Sequence, residues 1–425
     1  MKKIDEDKFS RDNSSFSRRS FIQSVGFGAA AMGLSQIGCS PSKQSQSPAP
    51  KNSGTDVSSI AGFEKTAADS KTSEGWQPVS DRKIKVGLIG YGVCKFASAF
   101  GFQDHPNVEI TAVSDLYPDR CAELARITKC KKTYPSLEEL VKDKDVEAVF
   151  IATDAPSHAS HVLEALKYDK HIACAVPAVF GSLEDADKLY EAVKRSGTKY
   201  MMFETSAYHD DVYIMRELYK QGHFGKIVYS EGEYYHYFGT PLDGYKNWRE
   251  GLIPQWYPTH SNGYYVCVTE KSFTDVSCLA TPSHVKHLQA ANNRYKNPFG
   301  TEVANMRTSE GGMSRMVVSW DTPGFGAEAG RIRGEKGSFN KTFKGLNENN
   351  IPKIKKPPLP PGLEPGGHGG SHGYLTNEFI TSILSDRTPL VDISMALNLT
   401  VPGIIAHESA LQGGRWLKIP QYSKI

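Results

Sequence analysis

No charge surplus of either sign marks this chain: 50 Lys+Arg stand against 47 Asp+Glu over 425 residues, a formal net charge of +3. Without a basic stripe there is no electrostatic footprint for a nucleic-acid partner, and without an acidic block there is no charged tail. No apolar run approaches the roughly 20 residues that a bilayer-spanning helix needs. Cysteine is sparse, seven in all and with no C-x-x-C pair, which excludes a zinc ribbon or a small disulfide-stapled scaffold. An H-E-x-x-H metal motif is also missing. What is present is 39% hydrophobic residues, with aromatics making up 10% of the whole chain, on a chain longer than the roughly 250–300 residues at which single cores stop growing. These proportions describe a soluble enzyme-sized protein of two or three domains, with no nucleic-acid partner.

The first eighty residues differ from the rest. Ser17-Arg18-Arg19-Ser20-Phe21-Ile22 precedes a mildly apolar, Gly/Ala-rich stretch to Leu34. A basic segment before a short apolar one is a signal peptide, and the Arg18-Arg19 pair points to the twin-arginine route, which carries folded proteins. Gly26, Gly28 and Gly33 weaken the competing reading of an amphipathic helix. Ile37-Gly38-Cys39 resembles the end of a lipobox, which would make Cys39 a lipidated first residue and membrane tether, although Gln36 departs from that pattern. Removal of residues 1–38 takes away six basic and four acidic side chains and leaves a mature charge of +1. Residues 39–80, rich in Ser, Pro, Lys, Gln and Thr, cannot bury enough surface to offset their ordering entropy and read as a disordered tether. The protein is thus expected in the periplasm or anchored on the exported side. Cys94, Cys121, Cys130, Cys174, Cys267 and Cys278 are scattered and read as small buried hydrophobes; an oxidising compartment leaves disulfide pairing open.

The body begins with a β-branched strand, residues 83–89, followed by Gly90-Tyr91-Gly92 and a helix through Phe100. Such a turn lets backbone amides approach a pyrophosphate. Lys95 stands where the third glycine of the fingerprint belongs. A second strand, 108–114, ends in Asp115, where a carboxylate binds ribose hydroxyls and disfavours a 2′-phosphate; a helix cap is the plainer role for it. Helices and strands then alternate: 119–128, 137–142, strand 148–153, helix 158–167, strand 171–176. The pattern predicts a doubly wound parallel sheet.

These segments, GLIGYG through Asp115, then Ala152-Thr153-Asp154-Ala155-Pro156-Ser157-His158 and Tyr168-Asp169-Lys170-His171-Ile172, resemble the Gfo/Idh/MocA oxidoreductases. So do Val391-Asp392, His407-Glu408-Ser409-Ala410 and Gly413-Gly414 near the C-terminus. The resemblance covers roughly 83–420. It implies an N-terminal NAD-binding Rossmann domain (81–204), an α/β domain with a large open, mainly antiparallel sheet (205–390), and a C-terminal helix and tail (391–425) returning to the Rossmann domain. It also implies NAD as cofactor, with Gly90, Tyr91, Gly92, Val93, Asp115, Thr153, His158, Val176 and Thr205 around it, and a homo-oligomer. For His158 the competing role is local, beside a Ser157 helix cap.

One departure changes the chemistry. Family dehydrogenases carry Glu-Lys-Pro after the fifth strand, the lysine assisting proton transfer; here the segment is Ala175-Val176-Pro177, and valine holds no proton. The NAD-dependent α-N-acetylgalactosaminidases of glycoside hydrolase family 109 share the scaffold and lack that lysine. Phe203-Glu204-Thr205-Ser206-Ala207-Tyr208, Trp248-Arg249, Tyr257-Pro258-Thr259-His260 and Gly367-His368-Gly369-Gly370 resemble that branch. Thr205 in place of Asn, His209 in place of Arg, and a tyrosine-free 319–327 depart from it. The resemblance implies hydride removal from C3 of a sugar, elimination across C2, addition of water and return of the hydride. That cycle consumes no cofactor, which suits an exported enzyme with no free NAD pool. Oxidation of a carbohydrate with bound NAD is the broad expectation, glycoside cleavage the sharper alternative, and a non-catalytic carbohydrate-binding lipoprotein the non-enzymatic one.

For roles, Tyr257 and His260 are the acid/base candidates, because histidine titrates nearest working pH. Arg249 offers its fork of donors to a hydroxyl or N-acyl carbonyl, beside Trp248. Tyr208 is a second phenolic acid/base candidate, and His368 a substrate contact on a flexible loop. His158/His161 and His368/His372 have spacings that permit paired metal ligation, but neither pair has a neighbouring carboxylate in sequence, and no metal is expected. Residues 229–238 alternate like a strand, with Glu231 and Glu233 on one face and aromatics on the other. The Pro/Gly-rich 351–370 stretch reads as a long lid-like loop.

Overall fold

The computed structural model describes residues 70–425; the expected signal peptide with Arg18 and Arg19, Cys39, and the tether up to residue 69 lie outside the described residues. The tether was expected to run to residue 80. Within its last described residues, Ser70–Ser73 form a 3-10 turn, and the Thr72 carbonyl accepts a hydrogen bond from Leu359 N–H at 2.8 Å.

Six parallel strands build the first sheet: β1 (Ile84–Ile89), β2 (Val108–Ser114), β3 (Thr133–Tyr134), β4 (Ala148–Ile151), β5 (His171–Cys174) and β6 (Tyr200–Met202), in the order β3-β2-β1-β4-β5-β6. Strands covered on both faces must be apolar throughout, and β4 and β6 are buried at every residue. The helices between them are α1 (Phe96–Ala99), α2 (Pro118–Thr128), α3 (Leu137–Leu140), α4 (His158–Leu166) and α5 (Leu183–Ser196). Strand order reverses between β1 and β4, which opens a crevice at their carboxyl ends.

The second sheet contains β7 (Ile227–Tyr235), β8 (Phe273–Pro282), β9 (Phe299–Thr308), β10 (Met313–Ser319), β11 (Ala327–Gly334), β12 (Gly337–Asn340), β13 (Thr342–Gly345) and β14 (Leu417–Lys418). Its order is β13-β12-β11-β7-β10-β9-β8-β14. All neighbours are antiparallel except β10 and β7. The remaining helices are α6 (Asp210–Lys220), α7 (Thr259–Thr269), the short turn α8 (Gly367–Gly370), α9 (His372–Leu384) and α10 (Ile393–Leu411).

Two glycines seat α7 on this sheet. Gly232 of β7 and Gly330 of β11 are register partners. A Cβ on Gly232 would stand 2.0 Å from the Ser261 carbonyl, and one on Gly330 would stand 2.3 Å from the Tyr264 ring. Because neither carries a side chain, α7 presses against the strands, and all eleven of its residues are buried. His260, in its first turn, is thereby aimed toward the ends of the parallel strands.

The C-terminal segment joins both halves. Met202 N–H donates to the Val391 carbonyl at 3.0 Å, Asp392 caps α10 by accepting from Met395 N–H at 2.9 Å, and β14 closes the edge of the second sheet beside β8. His407 is a structural member of its motif: Nδ1 lies 2.7 Å from the buried Glu302 carboxylate. A cluster of Phe100, Phe102, Phe150, Phe203 and Phe379, with centroids 5.0–6.3 Å apart among the contacting pairs, ties α9 to the parallel sheet.

The face assignment in 229–238 needs correction. Side chains alternate strictly along a strand, so Tyr229 and Tyr235 share the face of Glu231 and Glu233, where Arg315 and Arg331 pair with Glu231. Tyr234 and His236 point to the opposite face, toward the site. Cys121, Cys130, Cys174, Cys267 and Cys278 are buried thiols and Cys94 is half-buried; none of the six is in a disulfide.

Candidate active site

The crevice is a cleft of about 370 Å³ lined by Gly90, Gly92, Val93, Asp115, Thr153, His158 and Val176. Gly90 adopts φ 92°, and a Cβ there would lie 2.5 Å from the Ala152 carbonyl. A Cβ on Gly92 would meet no protein atom within 4 Å, so the space beside it belongs to the cleft. Asp115 Oδ2 accepts from Tyr91 N–H at 2.5 Å and its Oδ1 from Tyr117 N–H at 2.8 Å. The carboxylate thus braces the glycine turn while facing the cleft; the cap of α2 is Tyr117, with no side-chain bond. Tyr91 itself is 3% exposed and packs inward, so its backbone, not its ring, serves the turn. Lys95, at the missing glycine, has φ 50°, a left-handed backbone that favours glycine. His158 is buried, its Nδ1 2.8 Å from the Pro177 carbonyl and its Nε2 3.2 Å from that of Thr153. It locks the turns after β4 and β5 together. Open glycine backbone, a carboxylate at the end of β2 and a crevice at the strand-order reversal fit a dinucleotide such as NAD.

A second, inner cavity of about 40 Å³ adjoins the cleft, room for a hydroxyl or a few waters rather than a sugar ring. Cys94, Phe96, Ala175, Val176, Arg249 and Tyr257 line both spaces. Thr205, Tyr234, His236, His260 and His368 line the inner one. Of the residues singled out from sequence, Arg249, Tyr257, His260, His368, Thr205 and Val176 therefore meet at one place. Trp248 lies against the wide cleft with the Arg249 guanidinium 4.2 Å over its ring, supporting that arginine. Arg249 in turn reaches Cys94 Sγ at 3.9 Å.

Tyr208 is not among them. It is buried in a stack with Tyr374 and Tyr213, centroids 5.6 and 6.4 Å away, and lines neither space. The 3-10 turn Thr205–Tyr208 carries it past the cavity. Burial pushes its phenol far up, which suits packing and not proton transfer. Tyr208→Phe is expected to leave turnover within roughly threefold of the parent, under about 0.7 kcal/mol in the barrier; steady-state kinetics on both proteins check this.

His260, on the cavity wall, belongs to an ion pair that sequence reasoning missed. Glu204, fully buried at the end of β6, places Oε1 2.8 Å from His260 Nδ1. The same oxygen accepts from Ser206 N–H at 2.9 Å and Ser206 Oγ at 2.6 Å. Glu328 of β11 adds a second carboxylate, Oε2 3.8 Å from His260 Nδ1 and 3.4 Å from His209 Nε2. Burial alone would lower the His260 pKa, but Glu204 and then Glu328 outweigh it and raise it to about 9. Burial likewise would raise Glu204, and the charge and hydrogen bond of His260 hold it down to about 2. His260 is therefore an imidazolium at neutral pH, a donor. By contrast, His236 is pushed down to about 4 by burial, then by Arg249 and His260. Tyr257 is driven up by burial and remains a neutral phenol. Glu204 stands in the Phe203–Tyr208 motif, and its place after β6 was the available signal; Glu328 had none, since β11 meets α7 only in the folded sheet. Among the described residues no three His, Cys, Asp or Glu side chains form a metal-holding group.

Residues 84–204 match the model of an oxidoreductase family with an NAD-binding Rossmann fold. The chain is 30% identical over 176 residues to glycosyl hydrolase family 109 protein 1 of Bacteroides fragilis (strain YCH46), a match spanning 39% of this chain and 38% of that protein. A glycosyl hydrolase family 109 protein of Solibacter usitatus is 22% identical over 414 residues, covering 86% of this chain and 94% of its own length. Among solved structures, levoglucosan dehydrogenase in complex with NADH and levoglucosan superposes with a TM-score of 0.63 at 18% identity, over 80% of this chain and all of that one.

Proposed function

We propose that this protein binds NAD in the wide cleft and exchanges a hydride with a ring carbon of a carbohydrate whose hydroxyl reaches into the inner cavity. The observation that carries this reading is the shared wall: six residues, Val176 and Arg249 among them, line both the dinucleotide cleft and the inner cavity that His260 faces. NAD, when bound, supplies the hydride acceptor. The chain's own residues do the rest. Arg249, with its guanidinium 4.2 Å over the Trp248 ring, orients a hydroxyl or acyl oxygen. His260, protonated, donates to the oxygen that becomes a carbonyl, where charge develops. Val176 and Phe96 exclude water from the junction.

Val176 also favours a second reading, a net glycoside cleavage in which C3 is oxidised transiently and the hydride is returned. A neutral, apolar side chain replaces the proton-handling lysine, and relatives over part or most of the chain bear the family 109 glycosyl hydrolase name. We also propose export of the folded protein through Arg18-Arg19, which suits the same economy, since a retained cofactor serves a cycle that does not consume it.

Two measurements test this. Purified protein, denatured and chromatographed, is expected to release NAD; its absence sinks the proposal and leaves a carbohydrate-binding protein. With bound NAD present, nitrophenyl N-acetylgalactosaminides in deuterated water separate the two readings. Sugar release with deuterium at C2 is expected for transient oxidation, and NADH accumulation without cleavage supports plain dehydrogenation.

A further inference from the structure

Helix α9 presents His372 and Thr376, one turn apart on one face, to the carboxyl end of α1. Thr376 Oγ1 donates to the Phe100 carbonyl at 2.7 Å, and His372 Nδ1 lies 3.1 Å from the Ala99 carbonyl. Carbonyls at a helix end call for donors and can only accept. The contact therefore puts the His372 proton on Nδ1. Gly367 N–H, at 3.3 Å from the same nitrogen, is the longer contact; the His372 ring stacks on Phe100, with centroids 4.0 Å apart. His372 Nε2 is then an acceptor, and it sits 2.9 Å from His368 Nδ1. His368 must donate there, which places its own lone pair on Nε2. The His368 ring lines the cavity and lies roughly parallel to that of His260, centroids 6.4 Å apart.

We propose that His372 is a positioning residue which, by fixing the proton of His368 on Nδ1, makes His368 the proton acceptor of the cavity, opposite a His260 that keeps its proton between Glu204 and Glu328. The inference rests on the reading of this cavity as a sugar-oxidation site. In the oxidative direction the substrate O–H bond breaks and its proton passes to His368 Nε2. The freed pair becomes the second carbon–oxygen bond, and the hydrogen of the neighbouring C–H bond leaves with its electron pair to oxidised nicotinamide. Reversal returns both. His260 donates to the oxygen throughout and keeps its proton.

The groups facing His368 agree with this division. Burial first, then His372 from α9, His260 from α7, His209 ahead of α6 and His236 beyond β7, hold its pKa well below the usual histidine value. Two histidines in one cavity with opposite charge states divide acid from base.

The test is the tautomer itself. In the full chain labelled with 15N-histidine, two-bond proton–nitrogen spectra, assigned by loss of signals in His368→Gln and His372→Gln, are expected to show both residues neutral with the proton on Nδ1. In His372→Phe, which keeps the ring on Phe100, the His368 signals should move toward the Nε2–H form. Turnover in that variant is expected to fall on the order of tenfold or more in kcat, with KM within roughly twofold and NAD content unchanged. His372→Gln, whose amide oxygen can stand where Nε2 stood, should recover much of the rate. An Nε2–H His368 in the parent, or a tautomer indifferent to His372→Phe, overturns the proposal. Expected tautomers in a protein that moves no hydride would refute the oxidation reading and leave the relay standing; an active enzyme with the opposite tautomer would do the reverse.

Discussion

Glu204→Gln is expected to lose about 3–5 kcal/mol of folding stability near neutral pH, the usual consequence of stripping one partner from a buried ion pair. Glu204 is fully buried, so solvent screening gives no relief, and the two shifted pKa values describe one interaction rather than two to be added. The sign follows from direction. His260 rises from 6.5 to about 9 on folding, so its contribution is complete below pH 6.5 and vanishes as pH climbs through about 9. Glu204 falls from 4.5 to about 2, so its contribution is complete above pH 4.5 and vanishes as pH drops through about 2. Denaturant unfolding should therefore show the largest gap between parent and variant at pH 4.5–6.5, narrowing above 9. If catalysis uses the imidazolium, the alkaline limb of kcat should move below its parental position near 9 in the variant. A limb that stays in place would show that Glu204 does not hold this proton.

Gly92→Val should abolish NAD retention while leaving the fold intact. A Cβ at Gly92 touches nothing within 4 Å, so no cavity is overfilled and no backbone is strained; the added side chain stands in the cleft alone. Binding is expected to weaken at least on the order of a hundredfold, or about 2.7 kcal/mol, read as NAD released on denaturation and by calorimetric titration of the stripped protein. Gly90→Val is the contrast. Its Cβ would lie 2.5 Å from the Ala152 carbonyl at a φ of 92°, so stability and cofactor should be lost together. Full NAD retention in a well-folded Gly92→Val protein would move the cofactor away from this turn.

The alternation of strands and helices from β1 to β5 was readable because each parallel strand is an apolar run bounded by turn residues, a local property. The glycine turn was readable for the same reason: its role depends on neighbours within a few residues or one strand over. His260, Tyr257 and Arg249 were readable as chemistry-bearing residues, and the folded chain brings them to one cavity with His368. Tyr208 could not be separated from them by sequence, since the turn Thr205–Tyr208 decides which side its ring takes. Nor could the direction of proton transfer be read. A histidine's usual pKa suggests either role, and the choice of donor for His260 comes from carboxylates 56 positions upstream, on Glu204, and 68 downstream, on Glu328.

By itself the sequence determined the parallel dinucleotide-binding half, the glycine turn that opens it, and the absence of a lysine after β5. Those depend on periodicity and on residue identity at short range. Tertiary structure decided the charge state of the site. Gly232 and Gly330, unremarkable in sequence, let α7 settle on the second sheet; that contact carries His260 between two carboxylates, one just after β6 and one on β11. Burial there removes the water that would otherwise screen them, and a pKa is set by what surrounds a group in space rather than by what flanks it in the chain.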